Sequence, residues 1–357
     1  MRRSAALAVA FALAVLPAAW ARAAAPGPAA SLSGGAGTPA SAEPRFRITD
    51  ERIQESSGLA ASRRHDGVYW THNDSGSYGP QIYAVDEQGR TVATVTLAGA
   101  GVQARDWEAI ALGPGEGGEP AVYVGDIGDN FQGGWPSIRV YRFPEPRDLS
   151  DTTVRAATFT FVYEDGGRDA EAMMVDPRDG RVYIVSKEVA AGVYAAPERL
   201  DPEQANTLTR VDSAPLYATG AAFSPDGAYY AVRTYWAATV YDASQGVRGR
   251  IVERVPLPES DQGESLAFSH DGRSLLAGTE GPGSPVWSMP LDPGHATGGS
   301  GAPEATPGDG EGAAGSGGAA SGGAGGESGT GAAVLIWTGA GLAAVVIAGI
   351  ALLARRS

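Results

Sequence analysis

A short pattern returns five times between residues 55 and 272, each time as polar or acidic residues leading into a small apolar strand. The copies read Glu55-Ser-Ser-Gly-Leu-Ala, Glu108-Ala-Ile-Ala-Leu, Glu171-Ala-Met-Met-Val-Asp-Pro, Gly220-Ala-Ala-Phe-Ser-Pro-Asp-Gly and Glu264-Ser-Leu-Ala-Phe-Ser-His-Asp-Gly. Self-similarity at a spacing of roughly 40 to 60 residues, with several short strands per unit, is the sequence mark of a β-propeller. Between the copies lie runs rich in Val, Tyr and Thr, punctuated by Asp-Gly and Gly turns such as Asp66-Gly67, which read as hairpins. The expected fold class is therefore all-β, a five-bladed β-propeller, with a six-bladed ring as the alternative because the long second repeat has room for extra strands. A β-sandwich is the other all-β arrangement, but five returns of one strand-turn-strand unit argue against it.

The fifth repeat lacks a fourth strand before the composition changes near residue 292. The segment Arg45-Phe-Arg-Ile-Thr-Asp-Glu-Arg-Ile53 stands before the first repeat with no place in it, and so is expected to close the ring as the outer strand of the last blade. Closure of this kind removes exposed sheet edges.

The ends of the chain are of a different kind. Met1-Arg-Arg, the apolar stretch Ala5 to Trp20 and the small-residue site Ala21-Arg22-Ala23 read as a secretory signal peptide over 1–23. Arg2-Arg3 leaves twin-arginine export open as a second route. Residues 24–44 read as a flexible N-terminal segment, 45–292 as the propeller domain, and 293–331 as a disordered tether. Gly, Ala, Ser, Thr and Pro dominate the tether and give it too little apolar surface to fold. Residues 332–354 are uncharged and apolar for 23 positions, enough to cross a hydrocarbon core of about 30 Å as a transmembrane helix. Arg355-Arg356-Ser357 then reads as a cytoplasmic tail, giving a single-pass type I membrane protein with its folded domain extracytoplasmic. The tail resembles the cell-wall sorting signal of Gram-positive surface proteins. Glu327-Ser328-Gly329, ahead of Thr330-Gly331, lack the residues a sortase reads, which favours a retained membrane anchor.

The chain has no cysteine, which excludes disulfides, thiolate metal sites and cysteine nucleophiles. Its formal charge of −14 argues against sequence-independent nucleic-acid binding and suits cations.

In a propeller blade the start of the first strand and the end of the second lie on one face. That topology brings Glu55, Asp106, Glu108, Glu171 and Glu264 to the same channel mouth as Asn73, Asp74, Asp126, Asp129, Asn130, Lys187 and Arg233. A group of carboxylates and carboxamides, with His72 the nearest histidine, suits a hard cation on oxygen ligands, Ca2+ first and Mg2+ as the alternative. The candidate metal residues are Glu55, Asp106, Glu108, Asp126, Asp129, Asn130, Glu171 and Glu264; Asn73, Asp74, Lys187 and Arg233 are candidates for binding a ligand. Asp126-x-x-Asp129-Asn130 sets three oxygen donors on a Gly-containing turn, without the spacing of an EF-hand. The competing use of such residues is to cap turns and tie strands together. Lys187 and Arg233 admit two readings, a grip on a small anionic ligand or ion pairs with Glu171 and Glu264. Among the tryptophans, Trp135 is the best placed for stacking on a ligand, while Trp70 and Trp107 read as packing.

His72-Asn-Asp-Ser-Gly76, Asp106-Trp-Glu-Ala-Ile-Ala111 and Gly125-Asp-Ile-Gly-Asp-Asn130 resemble segments of secreted bacterial propellers related to the phytase-like family. The resemblance spans residues 50 to 290. It implies a propeller fold, calcium as cofactor and metal-dependent phosphoester hydrolysis, with Asp106, Glu108, Asp126, Asp129 and Asn130 on the metal and Lys187 and Arg233 on the phosphate. Two functions follow as expectations: a tethered propeller that binds a ligand or cell-surface partner at a calcium-containing mouth, or a hydrolase of this kind.

Overall fold

The computed structural model describes residues 44–295, apart from 75, 76, 132 and 293. The signal peptide, most of the flexible N-terminal segment, nearly all of the tether, the transmembrane helix and the cytoplasmic tail expected from the sequence lie outside the described residues. No helix among the described residues is long and apolar enough to cross a membrane.

The described chain is all-β, with one short 3-10 turn at Glu116–Gly118. Strand β1 (Phe46–Arg47) is followed by β2 (Ser56–Ala61), β3 (Val68–Asn73), β4 (Gln81–Asp86) and β5 (Thr91–Ala98). Next come β6 (Trp107–Pro114), β7 (Pro120–Asp126), β8 (Ile138–Pro144), β9 (Thr152–Arg155) and β10 (Ala157–Tyr163). The third group is β11 (Ala170–Val175), β12 (Val182–Ser186), β13 (Gly192–Ala195) and β14 (Asn206–Ser213). The remaining strands are β15 (Gly220–Phe223), β16 (Tyr229–Arg233), β17 (Ala237–Asp242), β18 (Ile251–Pro256), β19 (Gly263–Phe268), β20 (Ser274–Thr279) and β21 (Pro285–Pro290).

Each group forms an antiparallel meander, in the orders β2-β3-β4-β5, β6-β7-β8-β10, β11-β12-β13-β14, β15-β16-β17-β18 and β19-β20-β21. The first strands of the meanders pack side by side in a cycle, β2 on β6, β6 on β11, β11 on β15, β15 on β19 and β19 back on β2. This is a β-propeller-like architecture. Strand β1 lies antiparallel outside β21, with Phe46 opposite Val286, so the N-terminal segment completes the last meander where the sequence places it.

The side chains explain the arrangement. The first strands are buried along almost their whole length and carry mostly Ala, Gly, Ser and Leu, which lets their backbones crowd round one axis. A Cβ on Gly58 would lie 2.6 Å from His72 Nε2 and 2.9 Å from the backbone nitrogen of Ile110. Bulkier residues fill the spaces between neighbouring meanders. Trp70, Trp107, Tyr141 and Phe143 pack between the first and second, for example, and Phe46, Tyr69 and Leu276 between the last and the first. Such interfaces supply most of the stability, at about 25 cal/mol per Å² of apolar surface removed from water. G58V is accordingly expected to destabilise the fold by about 1–3 kcal/mol, as overpacking against a backbone atom does. Urea denaturation measures the change, and a variant as stable as the parent would contradict the close packing at the axis.

Two pairings go beyond the sequence reading. Strand β9 lies parallel to β5, Val95 opposite Thr152, and extends the first sheet; it is short and exposed, so it carries no alternating pattern to betray it. The outer strands β10 and β14 also pair in parallel, which joins two meanders into one eight-stranded sheet. Asn206 fixes that seam, its side-chain amide donating to the Thr160 carbonyl at 3.1 Å.

Candidate functional site

The mouth is built by an irregularity repeated in the first strands. The ladders slip between Ser56 and Gly58, between Trp107 and Ala109, between Ala170 and Ala172, and between Gly263 and Leu266. The residues passed over are Ser57, Glu108, Glu171, and Glu264 with Ser265. A bulge leaves its extra residue unpaired and re-aims the side chain, here at the end of the strand that opens the channel. The ladder of β15 runs without a slip from Gly220 opposite Arg233 to Phe223 opposite Tyr230, and this strand carries no acid.

On the β2–β6 side, Asp74, Asp106 and Glu108 bring one carboxylate oxygen each to within 4.8 Å of one another. Asp106 and Glu108 are buried, and Ser57 Oγ donates to Glu108 Oε2 at 3.0 Å. Gly128 faces both carboxylates; a Cβ there would lie 2.6 Å from Asp106 Oδ2 and 2.7 Å from Glu108 Oε1. The Asn130 side-chain amide reaches Asp106 Oδ2 at 3.4 Å. Burial holds the Glu108 carboxyl well above the usual carboxylate range, and the charges of Glu171, Asp74 and Asp106 add to the effect, against the Ser57 hydrogen bond. Such a set of hard oxygen donors fits calcium or magnesium, and the missing Gly128 side chain leaves room beside it.

Asp126 and Asp129 are engaged in holding this wall. Asp126 Oδ1 accepts from the backbone of Asp106 at 2.9 Å and Oδ2 from the Tyr141 hydroxyl at 3.0 Å, with Arg105 and Arg139 at 3.7 and 3.8 Å. Asp129 accepts from the backbone nitrogens of Phe131 and Trp135 at 2.9 and 2.6 Å and so folds the loop that follows. Asn73 plays the same part at the entrance to β2, accepting from the backbones of Gln54 and Glu55 at 2.9 and 3.0 Å. These three occupy the turn-capping role that the sequence left as the alternative.

Across the mouth, Lys187 pairs with Glu171 Oε1, and its ammonium lies 5.4 Å from the centre of the Tyr235 ring. Burial opposes the charge of Lys187, but Glu171 outweighs it and raises the lysine above its ordinary value. Glu171 and Glu264 are both raised by burial, and each feels the other. The Glu171 and Glu264 carboxyls hydrogen-bond each other, and neither Oε2 takes a hydrogen bond from any other described residue. Glu280, at the end of β20, is pushed up to about 7 by burial and by the charges of Glu264 and Glu55, against Lys187.

Arg233 is 1% exposed, and its Nη1 donates to the carbonyls of Ser265 and Gly278 at 2.6 and 2.7 Å. It therefore ties the fourth meander to the fifth and presents nothing to a ligand. His72 is pushed down to about 4 by burial, which keeps it neutral, and its Nδ1 lies 2.8 Å from the Asn73 carbonyl. The face of Trp135 is covered by the Arg105 guanidinium at 4.3 Å, whereas Trp236 is 63% exposed.

Sequence reasoning assembled the acids, Glu280 at the end of the fifth repeat's second strand among them, but missed Ser57 and Gly128 as parts of the mouth and assigned Asp74 to ligand binding alone. The Glu-Ala or Glu-Ser step at Glu108, Glu171 and Glu264 is the signal for the bulge in three of the first strands, and the Gly inside Asp126-Ile-Gly-Asp129 is the signal for the space.

No protein-family model matches the chain, and no curated protein sequence matches it. Among solved structures, the Kuenenia stuttgartiensis hydrazine synthase aligns with a TM-score of 0.38 at 14% identity, over 66% of this chain and 72% of that one. U3-55K aligns with a TM-score of 0.36 at 12% identity, over 69% of this chain and 98% of that one. Neither likeness carries a functional argument.

Proposed function

We propose that the chain is a membrane-tethered, extracytoplasmic, five-bladed β-propeller that binds a ligand or partner at its acid-lined channel mouth, with a calcium ion on Asp74, Asp106 and Glu108. The convergence of those three carboxylates within 4.8 Å carries the reading. Carboxylate oxygens brought this close repel one another, and a divalent ion relieves that repulsion while ordering the Gly125–Asn130 turn. Five meanders whose first strands form a cycle support the blade count. The signal peptide and the apolar stretch 332–354 support the location.

The mouth suits a cationic ligand better than an anionic one. Of the two basic groups that the phosphoester reading needs, Arg233 is buried in backbone hydrogen bonds and Lys187 is held by Glu171. Binding is thus favoured over phosphoester hydrolysis.

Metal analysis and thermal melting of the purified full-length protein test the reading. Calcium is expected at about one ion per chain, with a melting temperature that falls on chelation and returns when calcium is restored, as for any ligand that binds only the native state. D106N is expected to abolish both the ion and the response. A metal-free protein indifferent to chelator and to added calcium would overturn the assignment.

A further inference from the structure

The central channel is not one continuous space. Past the acids, Leu59, Ile110, Met173, Ala221 and Leu266 line a waist that leaves about 10 Å³ free, room for one water at most. Beyond the waist the channel widens into a cavity of about 210 Å³, at the end where the first strands finish and away from the acid-lined mouth. Leu112, Val175, Phe223 and Phe268, all buried, give the cavity an apolar wall. An apolar cavity of about 150 Å³ takes a benzene molecule, so this one has room for a phenyl ring with a short chain.

The rim of this cavity carries a cation. Arg63, on the loop between β2 and β3, lines the cavity, is exposed to solvent, and donates from Nη1 to the Pro225 carbonyl at 2.9 Å. Pro225 follows β15, and β15 is not a neighbour of β2 in the cycle, so the Arg63 side chain reaches across the end of the channel. Glu145 and Asp226 act on its charge without a hydrogen bond to the guanidinium. Their oxygens are taken elsewhere, those of Glu145 by Ser62, the Arg63 backbone and Trp70, and that of Asp226 by Ser224 and Ala228. Asp66 is exposed on the same rim. His270, also on the rim, meets Tyr69 edge-on at 5.0 Å between centroids, and burial lowers it below its ordinary value and keeps it neutral.

We propose that this far cavity is a second binding site, for a small amphipathic carboxylate whose apolar body fills the space beyond the waist and whose head accepts from Arg63. The walls select the body, because a polar group buried among them without partners is costly. The guanidinium selects the head. It presents several N–H donors in a planar fork, the Pro225 carbonyl takes one of them, and a carboxylate matches two of the rest. One cation set against the exposed Asp66 suits a single negative charge over the double charge of a phosphate. Apolar walls with a few placed polar groups are the usual make-up of a small-molecule site. The waist separates this cavity from the acids, so the inference goes beyond the mouth and is independent of the calcium ion.

Calorimetric titration of the purified full-length protein with 3-phenylpropionate and with hexanoate tests the site, beside 3-phenylpropanol and 3-phenylpropylamine as neutral and cationic copies of the first probe. The carboxylates are expected to bind at one site per chain, and the alcohol and the amine at least tenfold more weakly than 3-phenylpropionate. R63Q is expected to weaken 3-phenylpropionate at least tenfold and to leave the alcohol unchanged, while R63K, which keeps the charge, recovers part of the loss. D66N is expected to bind the carboxylate no more weakly than the parent. Arg63 is exposed, and an unchanged melting temperature confirms that R63Q keeps the fold; the comparison of the three phenyl probes on the parent decides the matter without any variant. Failure of both carboxylates to bind, equal binding of the three phenyl probes, or carboxylate binding indifferent to R63Q would each overturn the proposal. The titrations are repeated in chelator, where binding is expected to persist. Carboxylate binding that requires calcium would put the probe on a metal ion and overturn the far site, whereas carboxylate bound by a chain that takes up no calcium removes the metal assignment alone.

Discussion

Replacing Arg233 with methionine is expected to lower the free energy of unfolding by about 3–5 kcal/mol, the usual cost of removing one partner from a buried ionic network. The guanidinium is 1% exposed and donates from one nitrogen to the carbonyls of Ser265 and Gly278, across the junction between the fourth and fifth meanders. Its charge also offsets that of Glu264, which is buried beside it. Gly263 makes the arrangement feasible, because a Cβ at that position would lie 2.0 Å from the Arg233 side chain. Methionine keeps much of the volume but takes a donor from two carbonyls and leaves Glu264 with Lys187 as its remaining counter-charge. R233K retains the charge on a shorter reach and should recover part of the loss. Urea denaturation of the three proteins measures this, and a methionine variant within 1 kcal/mol of the parent would show that Arg233 does not brace the junction.

The second large effect is on pH dependence. Glu108, Glu171 and Glu264 are all raised by burial, and Glu280 is raised from 4.5 to about 7. Carboxyls of this kind hold protons in the folded chain that the unfolded chain has already released. Their contribution to stability is therefore fully present below the unfolded value near 4.5 and is lost as pH rises through the folded values. The chelated protein is expected to melt progressively lower between pH 5 and pH 8, by on the order of 5 °C. E171Q removes one of the titrating groups and should flatten the profile. A chelated protein whose melting temperature rises across that range would contradict the burial of these acids at the mouth.

Much of the fold is legible in the chain because its determinants are local. An apolar strand closed by Asp-Gly or Gly turns recurs, and each turn fixes its hairpin without reference to the rest of the molecule. The orphan segment at Arg45 is legible as a closing strand because a last repeat short of a strand leaves an edge to cover. The acids of the mouth follow from topology, since every first strand begins at the same end. What the sequence does not disclose depends on three-dimensional accounting. Asp126 and Asp129 read as ligands until Tyr141, Arg105 and the backbones of Phe131 and Trp135 are found to use their oxygens. Arg233 reads as a ligand grip because nothing local to it shows that Ser265 and Gly278 hold its donors. Strand β9 has four residues and little burial, too few to show a period.

Calcium titration of the metal-free full-length protein at neutral pH, followed by isothermal calorimetry beside D106N and E108Q, tests the assigned mouth directly. The account predicts one saturable site per chain in the parent, weakened at least tenfold in each variant. A parent that binds no calcium, or one whose binding is unchanged by both substitutions, would contradict the assignment of Asp74, Asp106 and Glu108 as the cation site.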